Sequence, residues 1–156
     1  MDYRFPSIHE RSSNKRQALI MKFFIDTSIF IYLVERHPSY GIRVQDFFLG
    51  SLLRNNEMIT SVITWMEFTV APKKANRLDL IVGYQELLNT LAIPLAEITQ
   101  PIADQAATLR SRYSFLKPMD AIQLAVALES GCDRFVSNDK ALLRVSEIQH
   151  LDLDKL

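Results

Sequence analysis

Cysteine is almost absent from this 156-residue chain, where Cys132 stands alone. That excludes an intramolecular disulfide and a cysteine-based zinc site, and it fits a reducing, cytoplasmic setting. Histidine is scarce as well: His9, His37 and His150 lie far apart, without metal-ligand spacing. Glycine occurs four times, and no Gly-rich phosphate loop is present, which argues against nucleotide binding. No apolar run approaches the roughly 18 residues that a membrane span needs. Net charge is missing too, because 18 basic residues balance 18 acidic ones. Residues 1–20 carry Arg4, Arg11, Lys15 and Arg16 against Asp2 and Glu10, so the remainder is slightly acidic. A polyanionic partner would therefore have to be gripped by local basic patches.

What remains is ordinary in composition. Hydrophobic residues make up 48% and charged residues 23%, the mix of a globular protein, and the length suits one domain with a substantial core. The stretch RSSNKR lacks apolar periodicity, so residues 1–20 read as a flexible N-terminal extension and residues 21–156 as the folded domain. An apolar run starting at Met21 mimics a secretory signal, but Asp26 breaks it and no small-residue cleavage site follows.

From Met21 onward, short apolar runs alternate with helical patterns. KFFID reads as a strand, and SIFIYLVER as a helix that stops before His37-Pro38. Residues 41–54 carry apolar residues at helical spacing, EMITSVIT is β-branched and strand-like, and WMEFTVAP opens another helix. LDLIVGYQELLNTL is an amphipathic helix, AIPLAEI a short strand and ADQAATLRSRY a helix. PMDAIQLAVALES is a helix bounded by Pro118 and Gly131. CDRFVSN is a strand, DKALLRV a short helix and HLDL a final strand. This alternation predicts an α/β fold with a mostly parallel central sheet of about four or five strands. Such sheets bind ligands beyond the carboxyl ends of their strands.

Acidic residues stand at those ends. Asp26 closes the first strand, Glu67 follows the second within a turn, Asp120 lies in the first turn of the helix from Pro118, and Asp139 follows the strand at 134–138. Each has a local explanation. Asp26 and Ser28 could cap the next helix, Thr64 and Glu67 fit a capping box, and Asp139 is a good cap before KALLRV. Asp120 in a first turn gains from the helix dipole. Together they have another explanation. Four gathered carboxylates repel one another unless a cation sits among them. An all-oxygen set without His or Cys suits Mg2+ or Mn2+. The matching chemistry is phosphodiester hydrolysis by metal-activated water.

These residues carry a resemblance. FIDTSIFIYLV, TSVITWMEF, KPMDAIQLAVAL and FVSNDKAL, in this order, resemble the PIN-domain nucleases, and among them the VapC-type toxins of bacterial and archaeal toxin–antitoxin pairs. The likeness covers about residues 21–156, and the four acids stand 41, 53 and 19 positions apart. It implies a three-layer α/β/α fold and Mg2+- or Mn2+-dependent endoribonuclease activity on tRNA, rRNA or mRNA. It also implies a homodimer and a cognate antitoxin that wraps the toxin. Asp26, Glu67, Asp120 and Asp139 match the four acidic positions of the family, and Ser137 the hydroxyl residue before the last. Thr27 and Ser28 fill the small polar positions after the first. Asp26 and Asp120 are expected to bind the metal directly, with Glu67 and Asp139 completing the cage or orienting water. Family members commonly begin at the first strand, so residues 1–20 depart from the pattern.

Other readings stay open. A PIN nuclease of RNA processing without a toxin role, or a catalytically silent PIN scaffold, would share these motifs. A haloacid-dehalogenase-like phosphotransferase would need a second Asp two residues after the first, where this chain has Ser28. Arg110, Arg112, Lys117, Lys73, Lys74, Arg77, Lys140 and Arg144 flank the acids and are candidate phosphate contacts. Trp65, Phe68 and Tyr113 could stack bases, although core packing is the simpler role for Trp65 and Phe68. The apolar face of residues 47–53 fits the core, a dimer contact or an antitoxin groove.

Overall fold

Strand β1 (Lys22–Ile25) shows how the sequence divides its apolar residues. Successive strand side chains point to opposite faces. Accordingly, in a computed structural model that describes residues 19–156, Phe23 and Ile25 join one core while Phe24 joins another. The extension expected over residues 1–20 falls, except for its last two residues, outside the described residues.

Helices α1 (Thr27–Val34) and α2 (Gly41–Leu53) lead to β2 (Glu57–Ser61). Then come α3 (Val62–Lys74), α4 (Leu78–Thr90), β3 (Leu95–Ala96), α5 (Gln100–Arg112) and α6 (Pro118–Glu129). Strand β4 (Arg134–Ser137), a 3₁₀ turn at Lys140–Arg144 and β5 (Gln149–Asp152) close the domain. The strand order is β3-β2-β1-β4-β5 and every pairing is parallel. Helices α1 to α4 cover one face through Ile29, Val44, Phe48, Phe68, Tyr84 and Leu88. Helices α5 and α6 cover the other through Leu109, Leu124 and Val126, with Phe24 and Phe135 stacked 5.0 Å apart beneath them. The three-layer expectation holds, with five strands.

Several boundaries differ from the sequence expectation. The β-branched run EMITSVIT is strand only to Ser61, whose hydroxyl accepts from the Ile63 N–H and starts α3 three residues before Thr64. The expected capping box at Thr64 and Glu67 is therefore overturned, because both residues lie inside the helix. Strand AIPLAEI shrinks to two residues, and DKALLRV is a 3₁₀ turn.

Glycine scarcity shows at the helix ends. Helices α1, α2, α3, α4 and α6 each run into a left-handed residue: Arg36, Asn55, Asn76, Ala92 and Gly131. The next amide bonds back five residues, as His37 to Tyr32 and Ile93 to Leu88. These are Schellman closures that satisfy carbonyls at the helix end, and only Gly131 adopts them without a Cβ penalty.

Tyr84 is buried under Phe30, Trp65 and Phe68. Its hydroxyl finds no hydrogen-bond partner among the described residues, and burial raises its pKa. An unpaired buried hydroxyl costs about 1–3 kcal/mol. Tyr84→Phe is therefore expected to raise stability by about 1 kcal/mol, read as a higher denaturant midpoint at unchanged slope.

Candidate active site

The order of strands reverses between β1 and β4, and their carboxyl ends flank the switch-point crevice. Asp26 follows β1 directly and holds its place by three bonds. Its backbone N–H donates to the Val136 carbonyl at 3.0 Å, its carboxylate accepts from the Thr27 N–H at 2.8 Å, and Ser137 Oγ donates to its other oxygen at 2.6 Å. Ser137 in turn accepts from the Asp139 N–H at 3.0 Å. Asp26 thus caps α1 and is tied across the crevice to β4.

Glu67 sits in the second turn of α3 and takes the Thr27 hydroxyl proton in a short hydrogen bond. Asp120 lies in the first turn of α6, where Pro118 starts the helix. Asp139 caps the 3₁₀ turn, accepting from the Ala141 N–H at 2.9 Å. Ser28, the other expected cap, has no hydrogen-bond partner for its buried hydroxyl among the described residues.

Asp26 and Asp120 feel the other acids. Burial is the largest influence on Asp26 and raises its pKa to about 6, against the hydrogen bonds from Ser137 and Thr27 that lower it. The charges of Glu67 and Asp120 push it further up. Burial raises the Asp120 pKa first, then the charges of Asp139 and Glu67, with Lys117 opposing. The topology therefore brings all four sequence-predicted acids into one electrostatic neighbourhood. Among the described residues, no three His, Cys, Asp or Glu side chains enclose an ion by themselves. An open, all-oxygen set fits Mg2+, which keeps several waters and uses one or two carboxylates. Carboxylates destabilised by burial and by each other also fit a cation as their missing partner.

Sequence reasoning missed a buried polar chain behind the acids. Ser61 Oγ donates to Gln123 Oε1 in a short bond, Gln123 Nε2 donates to Thr64 Oγ1 at 2.7 Å, and Thr64 lies 3.4 Å from Thr27 Oγ1. The one available signal was a glutamine inside the apolar run AIQLAVAL. Trp65 and Phe68 pack on Tyr84 at 5.6 and 3.9 Å, so both belong to the core.

The flanking cations are mostly engaged. Arg77 pairs with Asp79, Arg112 with Glu147, and Lys140 with Asp152 and Asp154. Arg110 donates to the Leu116 carbonyl at 3.3 Å, and Arg144 lies 4.0 Å over the Phe115 ring. Among the described residues, Lys73, Lys74 and Lys117 form no such ties. On α2, Val44 and Phe48 are buried while Ile42, Leu49, Leu52 and Leu53 stay exposed. Glu67 also borders an apolar cavity of about 270 Å³ with Ile31, Phe68, Pro72 and Leu80. No described helix is long and apolar enough to cross a membrane.

A parallel sheet with acids at its switch point is the arrangement of a PIN domain, and the PIN-domain family model matches residues 23–148. The chain belongs to the PIN-domain family. Its fold is similar to a chain in the DNA-bound VapBC crystal structure from Salmonella typhimurium (TM-score 0.69, 19% identity, covering 86% of this chain and 99% of that one). It is also similar to a chain of VapBC2 from Rickettsia felis bound to a promoter DNA fragment (TM-score 0.68, 15% identity, covering 85% and 98%). A third likeness is to VapC20 from Mycobacterium tuberculosis, described as a toxin cleaving the sarcin-ricin loop (TM-score 0.59, 15% identity, covering 81% and 98%). No curated protein matches the chain.

Proposed function

We propose that this PIN domain is a metal-dependent endoribonuclease and the toxin of a toxin–antitoxin pair. The observation that carries the reading is the gathering of acids at the switch point, where burial and the charges of neighbouring acids raise the pKa of Asp26 and of Asp120. Asp26 and Asp120 would hold Mg2+ or Mn2+, and Glu67 and Asp139 would complete the shell or orient the attacking water. When bound, the metal supplies a water activated at neutral pH and charge stabilisation on the phosphate oxygens. Ser137 keeps the Asp26 carboxylate in place, and Lys117, whose charge acts on Asp120, would meet a phosphate.

The toxin role draws its support from the likeness to VapC20 and to chains of VapBC assemblies. An apolar cavity beside Glu67 suits a peptide segment of an antitoxin, and exposed Leu52 and Leu53 suit a homodimer. The test is incubation of a total RNA pool with the purified protein, with Mg2+ or Mn2+ and with EDTA, followed by mapping of cut ends. The expected result is discrete cuts in tRNA, rRNA or mRNA that EDTA abolishes. Intact RNA with both metals, from folded and antitoxin-free protein, overturns the nuclease reading. Cleavage without growth arrest on induction leaves an RNA-processing nuclease instead.

A further inference from the structure

We propose that Tyr32, His37 and Tyr40 form a stacking platform that takes an unpaired RNA base beside the cleaved phosphate. The inference rests on the nuclease reading, since it names where the substrate of that site lies.

Helix side chains lean back toward the N-terminus of their helix. Tyr32 in α1 therefore reaches toward the crevice, and its hydroxyl accepts from Asn138 Nδ2 at 2.8 Å. Asn138 stands between Ser137, which holds Asp26, and Asp139. Tyr40 meets the same sheet edge one strand further out, where its hydroxyl donates to Asp154, just past β5, at 3.2 Å. His37 joins the two tyrosines. Its ring lies edge-on to Tyr32 at 4.6 Å and stacks on Tyr40 at 5.2 Å. The two tyrosine rings are themselves 5.3 Å apart. The His37 ring is held by the turn it sits in, because Nδ1 accepts from the N–H groups of Ser39 and Tyr40 at 3.2 and 3.3 Å.

These rings differ from the aromatic group around Tyr84. Trp65 and Phe68 pack on a ring that is buried outright, whereas Tyr32, His37 and Tyr40 are all half-buried. Tyr32 and Tyr40 rest on the core, and the remainder of each ring is open to solvent. Aromatic surface already fixed in place binds without a further ordering cost. Unpaired bases stack on Tyr and His rings, whereas the bases of a duplex stack on one another. Asp152 and Asp154 would repel a phosphate chain at this edge, but Lys140 pairs with both. A single strand whose phosphate meets the acids at Asp139 thus has the platform next to it, at Asn138.

The test is steady-state cleavage, by the full chain with Mn2+, of a single-stranded RNA carrying the mapped cut. His37→Asn removes the ring and keeps an acceptor for the Ser39 and Tyr40 amides. Tyr40→Leu removes a ring and keeps apolar bulk. Each is expected to raise KM by about 10–100-fold and to hold kcat, because stacking binds substrate and transition state alike. Tyr40→Phe, which keeps the ring, is expected to recover the affinity that Tyr40→Leu loses. Wild-type KM in folded His37→Asn and Tyr40→Leu overturns the inference and leaves the rings to a protein partner. A fall in kcat at unchanged KM overturns it too, because the rings then act on the acids through Asn138. Should both variants fail to fold, the wild type decides: unchanged KM for a substrate made abasic on both sides of the cut overturns the platform. Binding separates this inference from the nuclease reading. In the Asp26→Asn protein, a mixed-sequence single-stranded RNA with fluorescent aminopurine bases is expected to dim on binding, and to dim less once His37→Asn is added. If the wild type leaves RNA intact, the nuclease reading fails, and an absence of that dimming sinks the platform as well.

Discussion

Asp26→Asn is expected to abolish metal-dependent RNA cleavage, by about a thousandfold or more, in a protein that stays folded. Metal catalysis supplies several kcal/mol of transition-state stabilisation, and each 1.36 kcal/mol is a factor of ten in rate. Asparagine caps a helix about as well as aspartate. Its carbonyl oxygen can accept from the Thr27 N–H, and its amide can donate to Ser137 Oγ, which now donates to the carboxylate. The substitution therefore keeps the shape and bonds of the crevice and deletes one charge. Circular dichroism checks the fold and a labelled RNA substrate checks the rate. Cleavage at the wild-type rate would reduce Asp26 to a helix cap.

The same charge sets a pH dependence with an unusual sign. The Asp26 pKa rises from 3.8 in the unfolded chain to about 6 in the folded one, mainly through burial. The native state then binds the proton more tightly than the unfolded state. Its contribution is greatest below about pH 4 and is lost as pH rises through about 6, by roughly 2–3 kcal/mol. Asp79, Asp152, Asp154 and Glu147 work in the other direction, since their pKa values are lowered in the fold. The difference between wild type and Asp26→Asn isolates the term. In EDTA, Asp26→Asn is expected to gain on wild type between pH 4 and 7 and to be the more stable protein at pH 7. Mn2+ at a hundred times its dissociation constant should then stabilise the wild type by about 2.7 kcal/mol and leave Asp26→Asn nearly unmoved. Chemical denaturation at several pH values measures both effects. A constant gap between the proteins from pH 4 to 7 would contradict the burial of a charged Asp26. No response of the wild type to Mn2+ would contradict the cation.

The parts of the fold that were legible in the sequence are those where one physical demand dominates. KFFI and RFVS must bury both faces between helical layers, so their central residues are apolar. Helix α6 is bracketed by Pro118 and Gly131. The acids were legible because a carboxylate after an apolar strand is costly without a partner. The misses arise where two demands overlap. Val62 and Ile63 favour strands, yet they begin α3, because Ser61 caps the helix and packing overrides propensity. Arg36 and Ala92 end helices in a conformation that glycine would usually mark. Gln123 reads as an ordinary helix residue and Thr64 as a helix cap, because the two are 59 positions apart in the chain and meet only in the fold.

A ribosome making this chain delivers the crevice in a set order. Strand β1 and Asp26 emerge early, while Ser137, which anchors Asp26, follows 111 positions later. Until β4 is complete, β1 lacks one of its two neighbours and Asp26 lacks its cross-crevice tether. Asp139 comes two residues after that. A nascent or prematurely ended chain thus carries three of the acids without the wall that assembles them. For a ribonuclease, this ordering withholds activity while the chain is still attached to the RNA machinery that makes it. On the proposed function, competence to cut would arrive only as the final strands close.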